Sequence, residues 1–522
     1  MLIVQSVVTR SLTTAWALAR RASVHAFDEA SRHPRRAQEA WFARARASLG
    51  NSTYGKSVWL DVAGSLEAVR RAPIVQWDEV APWVERIANG EQNVLTTEPV
   101  LVFERTSGST TLPKRVPYTQ GLLDDFSAAT GPWLDDLFRA FPAMFGTRQY
   151  WSVSPAVRAP ETTQSGLRVG FEDDTEYFGA ATRFAMRQLM AVPSTVTKAK
   201  TVERWRDETL LHLIECDDLG FISIWNPSFL TVLLEALLSR WTTLESRLSP
   251  RRRLALQAAL ERSGGLSGEA LWPSLQVISC WTDAWAAEAV PGLRRFFPRT
   301  PLQGKGLLAT EGVVSFPLWG QPAPVAAVTS HLLEFEALED ERRPVRFVDE
   351  LRVGAAYSPI LTTRGGLVRY RLPDVVRCVG FWRALPLLRF EGRLDKTSDL
   401  RGEKLSSVVV ESVLRETLRR VPVQFVLLAP SLEPTPRYVL FLESDVDDVT
   451  ARRVAESVER GLMGEYHYRY CRELGQLERV TLVRVKNARP KWLAAMQARG
   501  MKLGDIKPSA FDTSTGWESR LD

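Results

Sequence analysis

The chain has 522 residues, of which 45% are hydrophobic and 25% charged, values that exclude a disordered or fibrous protein and allow more than one buried core. A formal charge of +6 spread over this length leaves no basic stripe, so nucleic acid is not expected as a partner. The four cysteines, Cys216, Cys280, Cys378 and Cys471, form no C-x-x-C pair and have no histidines at metal-ligand spacing, which predicts reduced, buried thiols in a cytoplasmic protein.

The N-terminus Met1 to Arg10 has an apolar run that is broken early and followed by Arg20 and Arg21, unlike a secretory leader. No later stretch approaches the ~18 uninterrupted apolar residues of a membrane span, so no membrane partner is expected. From Thr9 to Leu49 helical spacing predicts packed helices, with Leu12, Ala15, Trp16 and Ala19 on one face and Trp41 and Phe42 farther on.

Between Val100 and Phe316 short strand-like runs (Val100 to Phe103, Leu275 to Ser279) alternate with helical ones (Phe229 to Leu238, Arg251 to Glu261), the pattern of an α/β layered domain. From Asp349 to Phe390 the texture becomes β-rich, broken by Gly365-Gly366 and Pro373, and predicts hairpins or a small barrel. The polar stretch Arg393 to Gly402 is the candidate hinge. After it, helices near Ser406 to Leu418 and Val449 to Leu462, with strands near Gln424 to Leu428, Tyr438 to Glu443 and Val480 to Val485, predict a small α+β domain. The expected division is 1–394 for a large α/β domain of parallel-sheet layers plus a β-barrel, and 395–522 for a small, mobile one.

Five elements carry candidate chemistry. The run Thr106-Ser107-Gly108-Ser109-Thr110-Thr111-Leu112-Pro113-Lys114 offers close backbone N–H approach, hydroxyl donors and a mobile cation, the needs of a polyphosphate, although it lacks the P-loop spacing. Thr310-Glu311-Gly312 follows an apolar run, and the Glu311 carboxylate suits Mg²⁺ held against a triphosphate. Tyr370-Arg371-Leu372-Pro373-Asp374 presents Asp374 on a proline-fixed turn, suited to two ribose hydroxyls. Arg393 suits a ribose or phosphate contact, with Asp395 at the pivot and Gly402-Glu403-Lys404 just beyond. Lys507, in Gly504-Asp505-Ile506-Lys507-Pro508, could bring a cation to an α-phosphate and a carboxylate. Taken singly, each is as readily a loop, a turn or a solvated charge.

In this order the five elements resemble the adenylate-forming superfamily of acyl-CoA synthetases, nonribosomal adenylation domains and luciferases. Within it the sequence is most similar to the Gretchen Hagen family, the auxin-responsive acyl acid amido synthetases. The resemblance runs from roughly residue 40 to 512 and rests on Asn51 to Lys56, Pro73 to Asp78, Pro82 to Gly90, Leu351 to Phe381, Tyr468 with Arg472, and Gly500 to Pro508. It implies that Ser107, Gly108, Ser109, Thr110 and Lys114 form a phosphate loop for ATP, that Thr310 and Glu311 form the second nucleotide motif with Glu311 on magnesium, and that Asp374 and Arg393 hold the ribose. It further implies a hinge at Asp395, a mobile adenylation lysine at Lys507, and a monomer that joins a small carboxylic acid to an amine or amino acid.

Two positions depart from the family pattern: Leu307 stands where an aromatic residue usually opens the second motif, and Pro373 where the third commonly has Gly. The segment Ser398 to Leu405 is similar to bacterial members. Two alternatives stay open, transfer to coenzyme A or another thiol and a silent nucleotide or acyl binder. A thiol acceptor would have to be free or supplied in trans, because no carrier domain follows Lys507. Trp151, Trp225 and Trp281 are candidate walls of an acyl pocket, and His212 and His331 candidate bases, each as readily core packing.

Overall fold

A computed structural model describes residues 2–105, 114–152, 161–171, 188–199, 201–394, 396–499, 501, 506 and 509–522, with side chains from residue 9 onward. The chain divides into two compact units, one made of 1–282, 289–372 and 376–390, the other of 283–288, 373–375 and 391–522.

In the larger unit three helices, Leu2–Ala19, Arg21–Ala30 and Pro34–Gly50, open the chain. The predicted stripe of the first is met in part: Trp16 is buried and Leu12 half-buried against the core, but Ala15 and Ala19 are exposed and Thr9, Thr13 and Arg20 are buried instead. Of the polar members Thr13 is satisfied within the helix, whereas the Arg20 guanidinium has no hydrogen-bond partner among the described residues and rests on an aromatic face. Thr13 Oγ1 donates to the Thr9 carbonyl at 2.8 Å, and the Arg20 guanidinium lies 3.8 Å from the Trp16 ring centroid. The third helix is docked by Gln38, whose amide donates to the carbonyls of Val328 and His331 and accepts from the Leu333 N–H at 2.7 Å. Trp41 and Phe42 complete that face, buried as expected.

Among the described residues three sheets of four or more strands follow. Val100–Arg105 pairs antiparallel with Arg115–Thr119, the strand that begins just after Lys114. A second sheet is wholly parallel, in the order Arg148–Trp151, Leu219–Ser223, Val277–Cys280, Leu302–Gly304, with helices Val202–Glu215 and Pro227–Ser239 among its connections. Its continuous burial fits the near-continuous apolar strands of a parallel layer.

The β-rich stretch supplies most of an eight-stranded sheet. Its order is Ser315–Phe316, Val325–Ala326, Leu385–Arg393, Asp374–Trp382, Ala356–Thr362, Leu332–Ala337, Val345–Phe347, with Tyr370–Arg371 paired beside Ala356–Thr362. Gly366, at φ +103°, packs against Leu95 so closely that a Cβ would meet it at 2.5 Å, which is why this turn takes glycine.

The smaller unit is built on three strands, Phe425–Ser431, Arg437–Glu443 and Thr481–Arg484, the first pair antiparallel and the second parallel. Alternate residues face two cores: Val426, Leu428, Leu440 and Leu442 on one side, Leu427, Ala429, Val439 and Phe441 on the other. Helices Ser407–Leu418 and Asp448–Leu462 lie within a residue of their predicted bounds. Both open on side-chain caps, Ser406 and Asp447.

Among the described residues no helix is long and apolar enough to cross a membrane. The four cysteines are free and buried, and burial pushes the Cys216 and Cys280 thiols up to about 12, so neither is a ready thiolate.

Candidate active site

Ser107, Gly108, Ser109 and Thr110 of the phosphate run lie outside the described residues, as do Asp395 and Lys507. Lys114 is described, half-buried at the head of its strand. Its Nζ donates to the Tyr370 hydroxyl at 3.2 Å and lies 6.0 Å from the Trp77 ring centroid. Tyr370 is in turn held by the lead-in segment: Val75 donates to the Arg369 carbonyl at 3.1 Å and accepts from the Arg371 N–H at 2.9 Å. The structure thus brings together three stretches far apart in sequence: Pro73 to Asp78, Lys114, and Tyr370-Arg371.

Thr310 and Glu311 form the turn of a tight hairpin between Leu308–Ala309 and Gly312–Val313. The Tyr118 hydroxyl donates to the Thr310 carbonyl at 2.5 Å, tying this turn to the strand that follows Lys114. Glu311 is 7% exposed, and Gly312 backs so closely on His331 that a Cβ would meet Nε2 at 2.9 Å. Leu307, half-buried, donates its N–H to Ser315 Oγ at 3.0 Å and packs against the core.

Asp374 is buried and opens the strand Asp374–Trp382, while Arg393 closes the neighbouring strand Leu385–Arg393. The two strands form a hairpin turned at Arg383 and Ala384, so Asp374 and Arg393 belong to the same end of it. Beyond them Glu403 is 1% exposed rather than a solvated linker charge. It accepts the N–H groups of Leu400 and Arg401 and the Tyr438 hydroxyl, fixing the polar stretch from within the smaller unit.

Of the two histidines, His331 is fully enclosed, and among the described residues neither ring nitrogen has a hydrogen-bond partner. Burial, with Arg364 nearby, lowers its pKa to about 3, so it is neutral and sealed from any amine. This value lies below the 6.5 of an unfolded histidine, so the unfolded chain binds more protons between those limits and stability falls as the pH drops through them. His331 should cost about 2 kcal/mol of stability between pH 7 and pH 5. His331→Leu should remove that share, read as a flatter dependence of the urea midpoint on pH. His212 lies on the helix Val202–Glu215, partly buried and lowered by that burial.

Tyr370, Trp77 and Tyr118 were not singled out by sequence reasoning, and only Tyr370, as the first residue of its motif, carried a signal. On the ATP role that the resemblance implies for Lys114, Tyr370→Phe should lower kcat/KM for ATP by roughly tenfold or more, the worth of one hydrogen bond to a charged group, without a shift in unfolding midpoint that matches it.

Three family models match in chain order: GH3 family N-terminal domain over residues 23–252, GH3 family central domain over 325–393, and GH3 family C-terminal domain over 406–513. The chain belongs to the GH3 family. This GH3 chain is 24% identical over 507 residues to an indole-3-acetic acid-amido synthetase, GH3.15, of Arabidopsis thaliana, covering 85% of this chain and 81% of that one. It is 27% identical over 423 residues to a probable indole-3-acetic acid-amido synthetase, GH3.12, of rice, where it spans 66% of either chain. With a mouse GH3 domain-containing protein it shares 30% over 183 residues, spanning 34% of that relative. Among solved structures, the Arabidopsis GH3.15 acyl acid amido synthetase in complex with 2,4-DB superposes with a TM-score of 0.82 over 96% of this chain and 95% of that one, at 18% identity. That likeness establishes the fold.

Proposed function

We propose that this GH3 chain uses ATP to activate a small carboxylic acid as its acyl-adenylate and then transfers the acyl group to an amine, an amino acid by preference, giving an amide and AMP. The observation that carries the reading is the ordered match of all three GH3 domain models to one chain in which Lys114 donates to Tyr370 and Tyr118, on the strand that follows Lys114, donates to the carbonyl of the Thr310-Glu311 turn. In this reading the chain is a bacterial-type member of the adenylate-forming superfamily, a cytoplasmic monomer, with its large domain over 1–394 and its mobile one over 395–522.

In the first half-reaction a carboxylate oxygen attacks the α-phosphorus of ATP, the bond to the bridging oxygen breaks, and pyrophosphate leaves. Ser107, Gly108, Ser109 and Thr110 cradle the phosphates, while Lys114 and Lys507 offset the charge that develops. Asp374 and Arg393 hold the ribose. The single buried carboxylate of Glu311 suits Mg²⁺, which takes one or two carboxylates together with substrate phosphates and water. When bound, that ion neutralises charge on the phosphate oxygens. In the second half-reaction, motion about Asp395 withdraws Lys507, the amine nitrogen attacks the acyl carbon and loses a proton, and AMP departs with the oxygen of the mixed anhydride.

Acid-dependent ATP/pyrophosphate exchange tests the first step, and mass spectrometry of one accepted acid offered amino acids and coenzyme A tests the second. No exchange across a broad acid panel would favour the silent binder that Leu307 keeps in play, and a thioester without any amide would favour the thiol ligase.

A further inference from the structure

One face of the parallel sheet carries polar side chains where a buried parallel layer ordinarily carries Val, Ile or Leu. Trp151, Ser223, Ser279 and Gln303 are register partners on four adjacent strands, so their side chains form one row across the same face. Gln149, two residues before Trp151, and Lys305, two after Gln303, extend that face by the same alternation. All of these side chains are at least nine-tenths buried. The row lies toward the carboxyl ends of the strands, where ligands of parallel α/β sheets bind.

Lys305 Nζ donates to Ser223 Oγ at 2.8 Å inside a box of indoles, with ring centroids of Trp225, Trp133 and Trp151 at 4.8, 4.9 and 5.8 Å. The two glutamines are oriented by the same rings. Trp133 Nε1 donates to Gln303 Oε1 at 2.8 Å and Trp151 Nε1 to Gln149 Oε1 at 3.0 Å, which commits both amide oxygens and leaves both Nε2 groups to donate elsewhere. Among the described residues neither Nε2, nor Ser279 Oγ, has a hydrogen-bond partner. Buried donors without acceptors cost stability, and three in one row beside an ammonium are what an oxygen-rich group would satisfy.

We infer that this row is the polar floor of the acyl pocket, and that it selects planar, aromatic acids bearing an oxygen acceptor in addition to the carboxylate that is activated. The indoles supply flat apolar walls for the ring, and Lys305, Ser279 and the glutamine amides supply donors to the second oxygen group. A site built to hydrogen-bond a substrate oxygen discriminates strongly against the analogue that lacks it, because its own donors are then left unpaired. The inference rests on the acyl-activation reading for its name as a substrate pocket, but not for the binding it describes.

The test uses the full chain and three probes, phenylacetate, para-hydroxyphenylacetate and para-carboxyphenylacetate. Direct binding is followed by tryptophan fluorescence without ATP, and activation by pyrophosphate exchange. At least one acceptor-bearing acid should bind about tenfold or more tighter than phenylacetate, and Lys305→Met should bring that ratio close to one. Ser279→Ala, which removes a single oxygen, should narrow the same ratio and serves if Lys305→Met does not fold. Equal binding of the three acids by the unaltered chain would overturn the inference. So would an equal loss for all three in Lys305→Met, which would place Lys305 on the carboxylate they share, or a ratio that neither variant changes. Binding with the expected preference but without exchange would sink the activation reading and leave the pocket standing. Exchange without preference would do the reverse.

Discussion

Lys507→Ala is expected to lower acid-dependent ATP/pyrophosphate exchange by about a hundredfold or more, the scale of removing one group aimed at charge that develops in the transition state. Capture of a pre-made acyl-adenylate by the amine should stay near the rate of the unaltered chain, because in the proposed cycle Lys507 has been withdrawn by then. The two half-reactions are therefore measured separately, one by exchange and the other by amide formation from synthetic adenylate. Equal damage to both would mean that Lys507 is not the mobile adenylation lysine. The adjoining Ile506 is buried among Leu427, Ala429 and Trp517 in the smaller unit.

A second large effect is expected at Glu334, 1% exposed in the strand Leu332–Ala337. Both its oxygens accept from Arg369, at 2.9 and 3.0 Å, and Arg369 also donates to the carbonyls of Arg70 and Ala72. Arg369 takes a left-handed backbone conformation, φ +49°, immediately before Tyr370. The pair thus clamps the lead-in segment and the Tyr370 strand to the large sheet, beneath the Lys114 contact. Glu334→Ala leaves a buried guanidinium without its carboxylate and should destabilise the larger unit by about 3–5 kcal/mol. The readout is a lower first midpoint in chemical denaturation, accompanied by weaker exchange. Replacing both partners, Arg369→Met with Glu334→Leu, should recover most of the stability, since desolvating an ion pair offsets much of its attraction. If the double variant is as unstable as the single one, the clamp owes its worth to the Arg70 and Ala72 carbonyls instead.

The sequence by itself determined many of the local elements and the order of the candidate motifs. Helices Ser407–Leu418 and Asp448–Leu462 were legible because apolar period and a side-chain cap agree there, and of the parallel strands Val277–Cys280 was legible because a short apolar run stands there among longer helical ones. The proposed nucleotide motifs could be named because Thr310-Glu311, Tyr370 to Asp374 and Arg393 are each contiguous, and contiguity survives in a string of letters. The first helix shows the limit. Leu and Ala suggested one stripe, but Thr13 and Arg20 are buried because a carbonyl one turn back and an indole face receive them.

Only the tertiary structure decided which distant residues meet. Lys114 reaches Tyr370 because Val75 pins that strand, and Glu334 reaches Arg369 across the large sheet. Trp151 and Trp225, plausible as plain core in sequence, gather with Trp133 around Lys305, a residue no motif marked, because four parallel strands hold Trp151, Ser223, Ser279 and Gln303 in register. A parallel register joins residues tens of positions apart through backbone hydrogen bonds that leave no trace in spacing along the chain. That is why the proposed nucleotide residues could be named from the sequence and the proposed floor of the acyl pocket could not.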